Sequence, residues 1–158
     1  MPTPTYTALA TVTLGGSDTE IIFSSIPQSY RDLVVVIGGS ANAGTSPSLR
    51  FNNDSGSNYN IVRMYANAST YSSQSFNATY GSVGFMNTEK STVVAHIMDY
   101  SATDKHKTAL GRSSNTETLR LEIVRWANTS AITTLEVRMD GGSLYSTGTV
   151  MSLYGIAG

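Results

Sequence analysis

Leu119-Arg120-Leu121-Glu122-Ile123-Val124-Arg125-Trp126 and Leu135-Glu136-Val137-Arg138-Met139 carry the clearest pattern in this chain. In both, alternate residues are aliphatic, a period of two that puts one set on each face of a β-strand. Joined across residues 126–130, the stretches read as a hairpin with one wholly aliphatic face. The other face sets Arg120 opposite Glu136, or Glu122 opposite Arg138 after a two-residue slip. Either register places opposite charges directly across the strands, a pairing worth about 0.2–1 kcal/mol.

Moving outward, turn signals recur at intervals of about ten residues, with short β-rich runs between them. Residues 6–14 read as strand and stop at Gly15-Gly16-Ser17-Asp18, and 20–24 follow with Ile21-Ile22-Phe23. Pro27 presets the turn before Leu33-Val34-Val35-Val36-Ile37, a continuous apolar run too short for a helix. It reads as a central strand covered on both faces. Residues 49–52, 61–66, 80–86, 92–100, 106–112 and 149–156 continue the series, while 41–48 and 66–78 read as long polar loops. No stretch of ordinary helix length appears, since the best case, 91–100, is rich in β-branched residues. Ten to twelve short strands at this spacing predict an all-β, antiparallel β-sandwich of jelly-roll type, in one domain over residues 6–158. Residues 1–5, Met-Pro-Thr-Pro-Thr, read as a flexible arm that orders on a neighbouring subunit.

Composition narrows the function. The 158 residues include 22 Ser, 20 Thr and 10 Asn, only 13% are charged, and the net charge is −1. Scattered, balanced charge gives no basis for strong binding to a phosphate backbone, so no nucleic-acid partner is expected. No run approaches the length of a membrane-spanning helix, and the N-terminus has neither the basic nor the apolar region of a secretory signal. The absence of Cys leaves no disulfide and no thiolate metal site.

Candidate chemistry is sparse. His96 lies mid-strand among apolar residues and reads as a face-lining imidazole, and His106 sits in a charged turn; their spacing matches no zinc pattern. No G-x-S-x-G elbow occurs, and none of the 11 acids stands in a sequence setting that suggests a raised pKa. Asn52-Asn53-Asp54-Ser55-Gly56-Ser57-Asn58 is rich in oxygen ligands but lacks the acids of an EF-hand loop, and reads as a polar turn. The four N-x-S/T triplets are what Ser and Thr abundance produces by chance. No catalytic residue, metal or cofactor is therefore expected. Tyr59, Tyr65, Tyr71 and Tyr80 crowd the polar middle of the chain, and Trp126 lies at a hairpin end. Rings beside amides and hydroxyls suit contact with a protein partner or a glycan, and these five are the candidate contact residues.

Three stretches together carry a resemblance. Ser25-Ile26-Pro27-Gln28-Ser29-Tyr30-Arg31-Asp32-Leu33 resembles an "IP-x-x-Y-x-D-L" opening, Leu49-Arg50-Phe51-Asn52-Asn53-Asp54 an "RFN-x-D" segment, and Leu153-Tyr154-Gly155-Ile156 a terminal "LYGI". In that order they are similar to small virion structural proteins and tail-fibre-type modules of tailed, cyanophage-like bacteriophages. The resemblance implies a non-enzymatic virion protein made in the host cytoplasm, most simply a capsid decoration or cement protein. Its partners would be the major capsid protein, other virion proteins and further copies of itself, as a homotrimer. The alternative it implies is a receptor- or glycan-binding module of a tail or head fibre, meeting a host surface glycan. With no shaft or anchoring segment evident, the chain fits a compact decoration subunit better than a fibre tip. The resemblance carries no catalytic motif.

Overall fold

The computed structural model describes residues 4–116 and 118–158, and among these no helix occurs. Twelve strands run β1 (Tyr6–Thr13), β2 (Glu20–Phe23), β3 (Asp32–Gly39), β4 (Pro47–Phe51), β5 (Tyr59–Asn67), β6 (Tyr71–Ala78), β7 (Gly81–Ser82), β8 (Ser91–Met98), β9 (Lys107–Ser114), β10 (Thr118–Trp126), β11 (Leu135–Met139) and β12 (Val150–Ile156). They form two antiparallel sheets of unequal size. The larger has the order β1-β12-β3-β8-β9-β10-β5-β6, and the smaller β2-β11-β4-β7. This is the all-β antiparallel sandwich that the turn spacing predicts. The apolar run 33–37 is β3, central between β12 and β8, with Leu33, Val35 and Ile37 fully buried. Of the expected N-terminal arm, residues 1–3 lie outside the described residues.

The predicted hairpin does not form. β10 lies in the large sheet between β9 and β5, whereas β11 lies in the small sheet between β2 and β4. Residues 127–134 cross from one sheet to the other. The Asn52 side chain ties the crossing down, accepting from the Thr133 and Thr134 amides and donating to the Ala131 carbonyl. The charge pairing suggested by the hairpin is accordingly exchanged: Glu122 meets Arg63 on β5, and Glu136 meets Arg50 on β4.

The phase of β10 is the more consequential correction. Leu119 and Ile123 are exposed, while Val124, Trp126 and the fully buried Glu122 turn toward the small sheet. Trp126 is the largest buried side chain, and it packs with Phe51 and Tyr59 at centroid distances of 5.4 and 6.5 Å. Seating that aromatic cluster fixes the strand's phase at one end. The strict alternation then carries Glu122 and Arg120 inward and the leucines outward.

β6 was not visible as a strand in the sequence. Its residues, Tyr-Ser-Ser-Gln-Ser-Phe-Asn-Ala, carry little apolar signal because an edge strand needs only backbone pairing. It pairs with β5 from Tyr59↔Ala78 to Ala66↔Tyr71, and Asn67 Oδ1 accepts from Ser69 and Thr70 to make the turn.

Candidate functional site

The five candidate contact residues do not form one surface: Tyr59 stacks on Trp126 inside the sandwich, and Tyr65 and Tyr71 border one groove of the large sheet. Tyr59 and Trp126 belong to the core, at 0% and 1% exposure, and offer no surface to a partner. The Tyr59 hydroxyl accepts from the Phe51 amide, and Trp126 Nε1 donates to Asp54 at 2.7 Å. Tyr65 and Tyr80 are half-buried, under Arg120 and Arg138 respectively. Only Tyr71, 90% exposed, stands free at the rim of the large sheet.

The oxygen-rich turn is occupied by the protein's own donors. Asp54 accepts from the Gly56 amide, Asn58 Nδ2 and Trp126 Nε1. Partial burial pulls its carboxyl upward, and those hydrogen bonds outweigh it, so its pKa lies below the ordinary value. His96 lines the outer face of the large sheet and lies 3.1 Å from Asp32, whose other oxygen accepts the Asp99 amide. Among the described residues no group of three or more His, Asp or Glu is arranged to hold a metal ion.

Two features of the folded chain were not legible as sites. The first is a charged region extending from the interior to the rim. On β5 and β10 the inward rows run from Tyr59 and Trp126 to Ile61 and Val124, then to Arg63 and Glu122, then to Tyr65 and Arg120. Glu122 Oε1 takes Arg63 Nε at 2.6 Å and lies 3.4 Å from Arg120 Nη1. The segment just after β7 passes close above: a Cβ on Gly111 would meet the Val83 backbone at 2.2 Å, so only glycine admits this approach. On β11, Glu136 receives Arg138 at 2.9 Å and Arg50 at 3.2 Å. Nearby, Asp140 ends β11's run into the Asp140-Gly141-Gly142 turn, where both glycines have positive φ. Burial pushes the Asp140 carboxyl up to about 6, against the pull of the neighbouring Ser48 hydroxyl and of Arg138, although Ser48 Oγ and Asp140 Oδ1 make no hydrogen bond of good geometry.

This region opens into a cleft of about 500 Å³ lined by Arg63, Phe76, Asn77, Tyr80, Ser82 and Asp140 among others.

The second feature is the outer face of the large sheet. Cross-strand registers align Tyr154, Val34, His96, Leu110, Ile123 and Val62 in one row. The next row runs Val36, Val94, Arg112, Leu121 and Met64. Among the described residues, five of the seven exposed large apolar side chains, Val62, Met64, Tyr71, Leu119 and Ile123, lie at one end of this face. A shallow groove of about 760 Å³ there is lined by Met64, Ala66, Tyr71, Val94, Leu119 and Leu121 among others.

No family model matches this chain, and no curated protein matches it. Among solved structures it is similar to a double mutant of the alginate lyase Aly36B in complex with an alginate trisaccharide, at 10% identity and a TM-score of 0.36, covering 92% of this chain and 78% of that one. A second Aly36B mutant, in complex with an alginate tetrasaccharide, matches at 8% identity and TM-score 0.35, covering 93% and 80%. A protein of unknown function, SO2946 from Shewanella oneidensis MR-1, matches at 9% identity and TM-score 0.21, covering 96% and 76%. Similarity at this level transfers no residue and no activity.

Proposed function

We propose that this chain is a non-enzymatic structural protein of a bacteriophage virion, a decoration or cement subunit that assembles with further copies of itself through the outer face of its large sheet. The observation that carries the reading is that face. A sheet in a free monomer ordinarily alternates apolar inside with polar outside. Here the order is inverted over residues 119–123 of β10, and the neighbouring strands add Val62, Met64, Val94 and Leu110 to the same surface. Eight strands at about 4.8 Å spacing and about eight residues at 3.3 Å each give a face of about 1,000 Å². That exceeds the roughly 800 Å² per partner of a standard stable interface. A second copy is the occupant because the exposed apolar side chains grouped at one end of this face must be covered as soon as the chain folds. Only another copy is present then at equal concentration. The virion setting rests on the ordered sequence resemblance, and the Ser/Thr/Asn-rich loops suit contact with a shell by shape and hydrogen bonding.

Two measurements test this. Sedimentation equilibrium is expected to give an oligomeric mass for the native chain and a monomeric mass for Leu119→Lys/Ile123→Lys; a native monomer at micromolar concentration overturns the assembly surface. Purified protein mixed with phage shells lacking it is expected to co-sediment and raise the temperature of genome release. Failure to bind overturns the decoration role and leaves the oligomer intact.

A further inference from the structure

Among the described residues the two sheets have four edge strands, β1, β6, β2 and β7, and three of them are blunted. β1 carries a bulge, its register against β12 shifting between Ala8 and Ala10. β2 has four residues and begins with Glu20, and β7 has two. Bent, charged or very short edges resist pairing with another chain. β6 has none of these protections. Its eight residues include no charged side chain and no proline, and they pair with β5 in unbroken register. No described strand pairs with its far side. Tyr71, Ser73, Gln74, Ser75 and Asn77 are exposed along it.

We propose that β6 is a second contact between copies of this chain, joining two of them edge to edge with their β6 strands antiparallel about a two-fold axis. A second copy is the occupant because β6 is complementary to itself. A charged residue near the centre of a self-paired strand would face its like, which is destabilising. The centre of β6 is Ser73-Gln74-Ser75, whose hydroxyls and amide donate and accept alike. The pleat also limits the register. Tyr71, Ser73, Ser75 and Asn77 share the outer face with Val62 and Met64, and a two-fold axis normal to the sheet keeps them on it. They meet only one another, so the axis passes through a residue rather than between two. The fullest overlaps pair 71–77 or 72–78, with the axis at Gln74 or at Ser75. Eight residues at about 3.4 Å each, on an edge about 10 Å deep, bury about 270 Å² per copy. A standard stable interface takes about 800 Å², so the edge links crowded copies and does not hold free ones together at micromolar concentration. It is separate from the outer-face contact and does not rest on it.

The test is disulfide trapping in the full-length chain, which has no cysteine of its own. Gln74→Cys, Ser75→Cys and Tyr71→Cys are each oxidised with copper phenanthroline at submillimolar protein concentration. Each is made in the native background and in Leu119→Lys/Ile123→Lys, which removes the outer-face contact. Directly opposed residues of an antiparallel pair lie about 4.5–5.5 Å apart between Cα atoms, within reach of a disulfide. Tyr71 would lie at least six ladder positions, about 20 Å, from its own copy and cannot be bridged. A covalent dimer is expected from Gln74→Cys or Ser75→Cys, in both backgrounds, at a rate at least tenfold above that of Tyr71→Cys. Tyr71 is 90% exposed, so cross-linking by random collision would favour it, and equal or faster dimerisation of Tyr71→Cys overturns the proposal. No dimer from either central position overturns it too, as does a dimer that disappears in the Lys background. A native chain that sediments as a monomer at micromolar concentration removes the outer-face contact and leaves this result standing.

Discussion

Strands β5 and β10 pass side by side through two different interiors. At one end Tyr59, Ile61, Val124 and Trp126 close a dry aromatic and aliphatic cluster with Phe51 and Leu135. At the other, on the same face of the same strands, Arg63, Glu122, Arg120 and, across the gap, Asp140 make a buried charged one. The dry end is anchored by two well-placed polar contacts, Trp126 Nε1 on Asp54 and the Phe51 amide on the Tyr59 hydroxyl. The charged end keeps Glu122 Oε2, Arg120 Nε and Asp140 Oδ1 without partners. Packing, with its few polar edges satisfied, stabilises the first. The second holds together only while its charges balance, because each ion has lost most of its water.

Removing Glu122 breaks that balance and carries the largest expected effect. Glu122→Ala leaves Arg63 and Arg120 facing each other in the interior, and urea unfolding is expected to show a loss of about 3–5 kcal/mol. A loss below about 1 kcal/mol would mean that the two ends do not differ as described. Replacing all three residues with apolar ones of similar volume is expected to be neutral or stabilising, which separates the cost of an unbalanced charge from the worth of the cluster. At the dry end Trp126→Ala is expected to cost a similar 3–5 kcal/mol by leaving a cavity, with a pH dependence confined to the acid range in which Asp54, the acceptor of Trp126 Nε1, takes up its proton.

Asp140 sharpens the comparison through pH. Its folded pKa of about 6 lies above the ordinary 3.8, so the native state holds the proton more tightly than the unfolded chain. The stability it contributes is full below about pH 4 and lost as pH rises through about 6. By pH 8 the buried carboxylate costs up to about 3 kcal/mol, from 1.36 kcal/mol per pKa unit. Asp140→Asn is therefore expected to be more stable than the native chain at pH 8, with the gap closing by pH 4 in matched thermal melts. A constant gap across that range would assign the effect to something other than ionisation. The smallest effect belongs outside the sandwich. Leu119→Ser is expected to change the stability of the dilute monomer by no more than about 0.5 kcal/mol, read by denaturation well below the association range.

Most strands were legible because each is local. The run 33–37, the closing 149–156 and the turns at Gly15-Gly16 and Asp140-Gly141-Gly142 announce themselves within a few residues. β6 escaped because Ser72, Ser73, Gln74 and Ser75 have no side-chain reason to be strand; their place is dictated by the eight residues of β5 paired with that strand. The candidate site was less legible still. Tyr59 and Trp126 looked like surface aromatics beside polar residues, yet those polar residues are the core's own hydrogen-bond partners. Arg63, Ser82 and Asp140 are far apart in the chain and share no motif, so nothing short of the fold collects them.

The sequence by itself determined that this is a β protein, where most of its strands begin and end, and that β10 alternates. It did not determine which side of β10 faces in, or that β10 and β11 lie in different sheets. A period of two is unchanged when the strand is turned over, so the alternation holds no information about phase. The tertiary structure decided it by burying Trp126 against Phe51 and Tyr59, and by supplying from 59 residues earlier the Arg63 that neutralises Glu122. That choice put charge inside the sandwich and leucine outside it, and so created both the cleft and the apolar face.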